Sequence, residues 1–410
     1  MKILVISQYP LYASTTNRMM GFAIALRKRG HKVTLFIVGN KYLPGTQKTY
    51  LPNEIEGVQV KYTPSLPNAF IVMPGFISGI CAIFFLLLVK LPLTFIRSLM
   101  HDVVYSSKPL PYGTIVALPA SFLARKPFIL DTDDWEGVGG FATIKQGSRA
   151  LVKGIITYFE EMVPHHADAI VAASHLLAER IFLSGIKREA VFIAQNGADI
   201  KTFNPILDGK PIRSKFSLQG FVFCYLGTFK KGGANWQMLL DSFHFAWITR
   251  NDIMLLVIGF GNELQDAINY SNKLGMSNNV CFAGKVEHKD VPNYLSAANA
   301  YLLPYQSDFP HTFINIGRSS LKLYEYMAMG RPIVATDVGE LSVSLKDGAG
   351  ILVNTNDAEM FGQGIIRLLS MNASEIEAMG NTARQRAEQI YNYNSMSAVV
   401  EKALYYARNV

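Results

Sequence analysis

Ser319 and Ser320 stand where helical spacing begins, and Glu325 follows on the same segment. In the stretch Ser319 to Ala335, SSLKLYEYMAMGRPIVA, apolar and aromatic side chains recur at the period of a helix. A helix opening at the serines presents unpaired backbone N–H groups and the positive end of its dipole, which is the chemistry of a phosphate site. Glu325 then offers a carboxylate to a pair of neighbouring hydroxyls such as a ribose 2′/3′-diol. Gly330 stops the helix, Pro332 prevents its continuation, and Pro332 to Ala335 is an apolar run suited to a buried parallel strand. A capped amphipathic helix without a ligand fits the same residues.

The elements that must position this helix alternate strand and helix in two series. Lys2 to Ile6 reads as a strand, Met19 to Arg29 as an amphipathic helix closed by Gly30, and Lys32 to Val38 as the next strand, a βαβ unit. Further strands are expected at Val103 to Tyr105, Phe128 to Leu130, Ala169 to Ala172 and Val191 to Ala194. After the polar, proline-flanked stretch from Pro205 to Pro211 a second series begins with Phe221 to Leu226 and Met254 to Ile258. It continues at Val280 to Ala283, Ala300 to Leu303, Ile333 to Ala335 and Ile351 to Val353. A chain of 410 residues, half hydrophobic and 17% charged, suits two α/β domains better than one core.

Three cysteines, Cys81, Cys224 and Cys281, are too far apart for a zinc cluster and odd in number, so neither a metal site nor a disulfide framework is supported, and a reducing cytoplasmic compartment fits best. The opening MKILVISQYP reads as a strand rather than a signal peptide. The net charge of +8 resides in the first half, where residues 1 to 205 carry 21 Lys/Arg against 13 Asp/Glu. A basic face favours an anionic partner, a membrane surface or a phosphorylated acceptor, and the lack of a Lys/Arg cluster interleaved with aromatics makes nucleic acid the weakest of these.

An ordered set of landmarks carries a resemblance: Arg29-Gly-His-Lys-Val33; Gln195-Asn-Gly-Ala-Asp199 with Phe203 and Pro205; Leu255 to Gly261; Val280 to Gly284; Pro292 to Ala298; Leu303-Pro304; and the Ser319 to Ala335 stretch. The chain resembles the family 4 glycosyltransferases of the GT-B fold: α/β, two Rossmann-like doubly wound domains facing across a cleft. The resemblance implies an acceptor-binding domain over residues 1–205, a nucleotide-sugar domain over 206–385, and a C-terminal helix in 386–410 that packs back on the first. It implies that the backbone of Ser319, Ser320 and Leu321 meets a diphosphate, Glu325 the ribose, and the loop Gly284-Lys285-Val286 the base. Transfer from a nucleotide-diphosphate sugar to a hydroxyl acceptor follows, with retained anomeric configuration and with neither a metal nor a cofactor beyond the donor itself. A nucleotide-sugar 2-epimerase and a non-catalytic nucleotide-sugar-binding protein remain alternatives.

Several positions depart from the family pattern. Counting back from Glu325 puts Gly317 where a first carboxylate stands in the family, and the family's arginine falls on Thr228. Lys230, Lys231, Arg318 or Lys322 would have to neutralise the leaving diphosphate, and Lys231 and Lys322 are preferred. A solvated helix lysine is the competing description of Lys322. In Phe128 to Glu136, FILDTDDWE, alignment puts Asp133 at the family's histidine and Asp134 at the aspartate after it, where a carboxylate orients or deprotonates a sugar hydroxyl. Asp131-Thr-Asp133 as a D-x-D cation site and a purely structural cap are the competing descriptions. Arg18 is a candidate contact to an acceptor phosphate or to the donor diphosphate, or an exposed helix arginine, and Lys108 is expected to line the acceptor cleft. Gly259-Phe-Gly261 allows close backbone approach to a ligand or makes a plain turn.

No charged residue occurs from Ala69 to Val89. Pro74 and Pro92 are expected to confine the helix to residues 76–91, about 24 Å at about 1.5 Å per residue and short for a membrane span. It is expected to lie buried or in the membrane interface, with Lys90 and Arg97 at the head groups. An interfacial helix beside a basic first half favours a lipid-linked acceptor and peripheral contact with the cytoplasmic membrane face.

Overall fold

The structure is a computed structural model that describes residues 1–11, 13–39, 51–65, 81–144, 150–229, 235–305, 319–354 and 357–410. Lys230, Lys231, Gly317, Arg318 and residues 76–80 of the expected apolar helix lie outside the described residues. The chain forms two compact units, one of residues 1–196 with 393–410 and the other of residues 197–392.

The first unit contains β1 (Lys2–Ser7), α1 (Ser14–Lys28), β2 (Lys32–Ile37), β3 (Glu54–Ile55), β4 (Val58–Tyr62), α2 (Cys81–Leu99) and β5 (Val103–Ser107). It continues with α3 (Pro111–Leu123), β6 (Phe128–Thr132), α4 (Phe141–Ile144), α5 (Ala150–Met162), β7 (Ala169–Ala172), α6 (His175–Leu183) and β8 (Val191–Ile193). The strand order is β3-β4-β2-β1-β5-β6-β7-β8, parallel except for the β3–β4 pair. Ile3 to Ile6 and Ile129 to Leu130 are wholly buried, as strands covered on both faces require. Val116, Leu177 and Ile181 of α3 and α6 pack on one face, and Met19, Phe22 and Leu26 of α1 on the other.

The second unit contains α7 (Lys210–Lys215), β9 (Phe221–Thr228), α8 (Trp236–Thr249), β10 (Ile253–Phe260), α9 (Leu264–Lys273), β11 (Val280–Gly284), α10 (Val291–Ser296) and β12 (Ala300–Leu303). Then come α11 (Leu321–Ala328), β13 (Ile333–Thr336), α12 (Gly339–Leu345), β14 (Ile351–Val353), α13 (Ala358–Leu369) and α14 (Ala373–Gln389). Its sheet runs β11-β10-β9-β12-β13-β14, all parallel. Gly330 takes φ +65°, the left-handed conformation that ends α11 where glycine was expected to end it.

The last helix, α15 (Tyr393–Asn409), returns to the first unit, where Met396, Val400 and Leu404 join the α1 face of the core. Burying each such side chain contributes about 1.5–3 kcal/mol, enough for three of them to hold a terminal helix in place. Arg29 and His31 add polar fixings, each donating to Glu401.

The apolar helix differs from its expected bounds. It continues through Pro92 to Leu99, because Leu86–Lys90 adopts the wider π-helical turn just before the proline, whose missing N–H and ring would break a regular ladder. Lys90 is not at a head-group level. It is wholly buried, and its Nζ donates to the Val38 carbonyl and the Tyr112 hydroxyl. Burial pushes its amine down to about 8.

Candidate functional site

In the second unit, β9 and β12 are neighbours from which the chain winds in opposite directions, the switch point where parallel α/β sheets open a crevice at their carboxyl ends. α11 starts at that crevice. Ser320 is its N-cap but makes no side-chain cap, and its hydroxyl instead accepts from the Tyr305 hydroxyl at 2.9 Å. Ser319 and Tyr324 exchange a hydroxyl hydrogen bond at 3.1 Å. Both serine hydroxyls thus pair with tyrosine hydroxyls, and that of Ser320 does not cap the first amides of the helix. Leu226 at the β9 end is tied to α11 twice, its N–H donating to the Tyr326 hydroxyl and its carbonyl accepting from Lys322 Nζ at 2.9 Å. Lys322 is therefore not a solvated helix residue: its ammonium lies 4.6 Å from the Tyr225 ring centroid and 5.1 Å from that of Tyr305.

Glu325 is 4% exposed, and its Oε1 accepts from His288 Nε2 at 2.7 Å. Gly284 closes β11 at φ +72°, and Lys285 and Val286 follow it, with Lys285 Nζ 5.5 Å above the Phe260 ring and Val286 against the core. The second unit thus brings together Ser319, Ser320, Leu321, Lys322 and Glu325 on one helix start. Gly259 and Gly261 serve packing, since a Cβ on either would fall about 2 Å from a backbone oxygen of Gly227 or Phe229.

In the first unit the corresponding switch point lies between β1 and β5. Lys108, just past β5, is 5% exposed and held at φ +53°. Its Nζ stands 3.1 Å from Asp133, 2.9 Å from Asp134 and 2.6 Å from Glu136. Burial works against the ammonium, but these carboxylates outweigh it and hold its pKa well above the lysine range. Asp133 accepts from the Thr15 hydroxyl at 3.1 Å through Oδ2, whereas Oδ1 is buried close to Lys108 without hydrogen-bond geometry. Burial, with Asp134 and Asp131 adding to it against Lys108, pushes this carboxyl up to about 6. Tyr9 borders the same cluster, its phenol pushed up to about 12 by burial.

Two expectations are corrected here. Arg18 is neither an acceptor contact nor exposed: it is wholly buried, forks onto Asp131 at 2.9 and 3.1 Å, and donates also to Asn196 and the Ala194 carbonyl. Asp131 in turn accepts from the Tyr105 hydroxyl, so both its oxygens are committed to protein donors and the D-x-D cation site fails at its first ligand. Thr15, Tyr9, Glu136 and His288 entered these clusters without being singled out beforehand; only Glu136, within the quoted FILDTDDWE run, carried a local signal.

A cavity of about 410 Å³ lies beside this cluster, lined by Thr132, Leu177, Ile181, Glu160 and Arg180 among others. Glu160 accepts from Arg180 at 3.1 Å and from the Glu136 N–H, and burial, only partly opposed by Arg180, pushes its carboxyl up to about 7.

Comparison with known proteins gives two family matches, "Glycosyl transferase 4-like domain" over residues 15–197 and "Glycosyl transferases group 1" over residues 210–386. The phosphatidyl-myo-inositol mannosyltransferase of Mycobacterium leprae is 27% identical over 56% of this chain and 56% of its own length. The lipopolysaccharide core biosynthesis mannosyltransferase LpsB of Rhizobium meliloti is 24% identical over 49% of the chain and 55% of its own length. The chain thus spans about half the length of the curated relatives it matches. Among solved structures, HepE of Anabaena in complex with UDP and glucose superposes with TM-score 0.72 at 18% identity, over 99% of each chain. Sucrose-phosphate synthase of Thermosynechococcus elongatus superposes with TM-score 0.70 at 17% identity, over 98% and 97%. These likenesses establish the two-domain GT-B class of fold.

Proposed function

We propose that this chain, which belongs to the group 1 glycosyltransferases of family 4, transfers a glycosyl unit from a nucleotide-diphosphate sugar to a hydroxyl on a lipid-linked acceptor, with retention and without a metal. The observation that carries the donor half is the α11 start at the β9/β12 crevice, with Glu325 buried on the same helix. The amides of Ser319, Ser320 and Leu321 bind the diphosphate, the ammonium of Lys322 balances its charge, and Glu325 accepts from the ribose diol. The loop Gly284-Lys285-Val286 is the proposed contact for the base.

In the acceptor half, Asp133 and Asp134 orient the hydroxyl, and Lys108 fixes both carboxylates. The sugar C1–O bond to the diphosphate breaks as C1 bonds to the acceptor oxygen on the same face. The acceptor proton passes to a leaving diphosphate oxygen, and Lys322, with Lys231 as a further cation, stabilises the negative charge that develops. Support for a lipid acceptor comes from the basic first half of the chain and from exposed apolar side chains on α2 and at the end of α3. It comes also from relatives named for phosphatidyl-myo-inositol and lipopolysaccharide core synthesis. Such an acceptor implies a peripheral position on the cytoplasmic membrane face.

Calorimetric titration with UDP-glucose and GDP-mannose tests the donor half. Glu325→Ala is expected to weaken the tighter donor about 10- to 100-fold, the value of hydrogen bonds to a charged group. An unchanged affinity would remove Glu325 from the donor site. Isomerisation of the donor sugar with no acceptor present would instead identify an epimerase.

A further inference from the structure

Glu325 already carries a hydrogen bond within the second unit. Its Oε1 is held by His288 Nε2 at 2.7 Å, and since an ionised carboxylate has no proton to give, the imidazole nitrogen is the donor. The two groups differ in freedom: the glutamate side chain is 6% exposed and the histidine side chain 58%. The carboxylate is therefore fixed in the fold, whereas the imidazole reaches it from the solvent side, along the short helical turn His288–Asp290 that follows the Gly284 loop. A vicinal diol that donates one proton to each carboxylate oxygen meets the Oε1 that His288 holds.

We infer that His288 is a competitor for the donor site, holding the Glu325 oxygen that the ribose diol needs, so that donor binding displaces the imidazole from the carboxylate. This rests on the assignment of Glu325 to the ribose made above. The charged groups that bear on His288 from the elements packed against it are acidic: Glu325 on α11 and Asp199 on the segment before α7. Phe203 of that segment contributes an uncharged ring, 5.7 Å from the imidazole. On its own turn, Lys289 pairs with Glu287, and Asp290 stands beside them. The hydrogen bond to Glu325 raises the histidine pKa above its ordinary value, burial opposes this, and the charges of Glu325 and Asp199 reinforce it.

The sign follows from which state holds the proton. Below its folded pKa His288 is an imidazolium clamped to Glu325, and the donor must break an ion pair to enter. Above it the imidazole is neutral and the clamp is weak. Displaced from Glu325 the imidazole returns toward its ordinary 6.5, so donor affinity rises with pH between that value and the raised one of the clamped state and is level on either side.

The test is the dissociation constant of the full chain for UDP-glucose and GDP-mannose at pH 5.5 and 8.5, diphosphate diesters whose own charge is constant across that range. With the tighter donor, the wild-type protein should bind several-fold more weakly at pH 5.5 than at pH 8.5. His288→Ala should bind equally well at the two values, and His288→Asn, which keeps a neutral hydrogen-bond donor, should also give a flat profile. A flat wild-type profile, or an unchanged slope in His288→Ala, overturns the competition. Failure of Glu325→Ala to weaken binding at pH 8.5, or of both donors to bind at all, overturns the ribose assignment beneath it and so is told apart from failure of the competition alone.

Discussion

Among the described residues, Arg18, Lys108 and Lys322 at the strand-end crevices all meet partners inside the protein. Arg18 and Asp131 close one another off, and Lys108 gathers three carboxylates. Removing one member of such a buried pair costs about 3–5 kcal/mol because the other charge is stranded. Glu160 is less well balanced, and its pH dependence shows the sign. Its carboxyl titrates at about 7 in the fold against an ordinary 4.5, so between those values the folded state keeps a proton that the unfolded chain has lost. Stability of the first unit therefore falls as pH rises from 4.5 to 7, and Asp133, raised to about 6, adds in the same direction. Glu160→Gln should be more stable than wild type at pH 8, by up to about 3 kcal/mol at about 1.4 kcal/mol per pKa unit, and indistinguishable from it at pH 4. Denaturant titrations at the two values measure this, and a loss of stability at pH 8 would show that the pairing with Arg180 outweighs the burial cost. None of this was legible from residue type. Arg18 reads as an ordinary helix arginine in sequence, because its partners Asp131 and Asn196 lie more than a hundred positions away.

Strands were the most legible elements, since parallel strands covered on both faces are continuous apolar runs, and Lys2 to Ile6, Ala169 to Ala172 and Ala300 to Leu303 stand out on that ground alone. Helix ends were less legible. α1 begins at Ser14 rather than Met19, its first turn being Ser-Thr-Thr-Asn, polar residues whose role is tertiary: Thr16 meets Ser7, and Thr15 meets Asp133. α2 is the clearest misjudgement, because a π-helical turn that absorbs Pro92 leaves no trace in hydrophobic periodicity. Its outward side carries Phe84, Leu88, Ile96 and Leu99, and the end of α3 adds Phe122 and Leu123; Leu88 is 71% and Phe122 80% exposed. Arg125 stands exposed just past α3, as an anionic surface would favour. Replacing both Leu88 and Ile96 by Glu should reduce co-sedimentation with vesicles containing anionic phospholipid at least tenfold while leaving the thermal transition in place. Undiminished sedimentation would remove α2 from the proposed membrane contact.

The two-unit organisation was legible because the strand–helix alternation restarts after a polar, proline-rich stretch, whereas the division itself falls at Asn196 and again at Asn392. Two features have no local signature: the return of α15 to the first sheet, and the meeting of His288 with Glu325 from elements 37 residues apart. The donor helix was legible as a pattern, and the fold adds its position at a switch point of a parallel sheet. The claim on which the rest depends is transfer. The most direct test incubates the purified full chain with UDP-[14C]glucose or GDP-[14C]mannose and a membrane lipid extract, then follows label into the organic phase. The account predicts a labelled lipid glycoside, formed only when extract is present and reduced about 10- to 100-fold in Glu325→Ala at subsaturating donor. Label that stays wholly in the donor, while nucleotide binds normally, would contradict it.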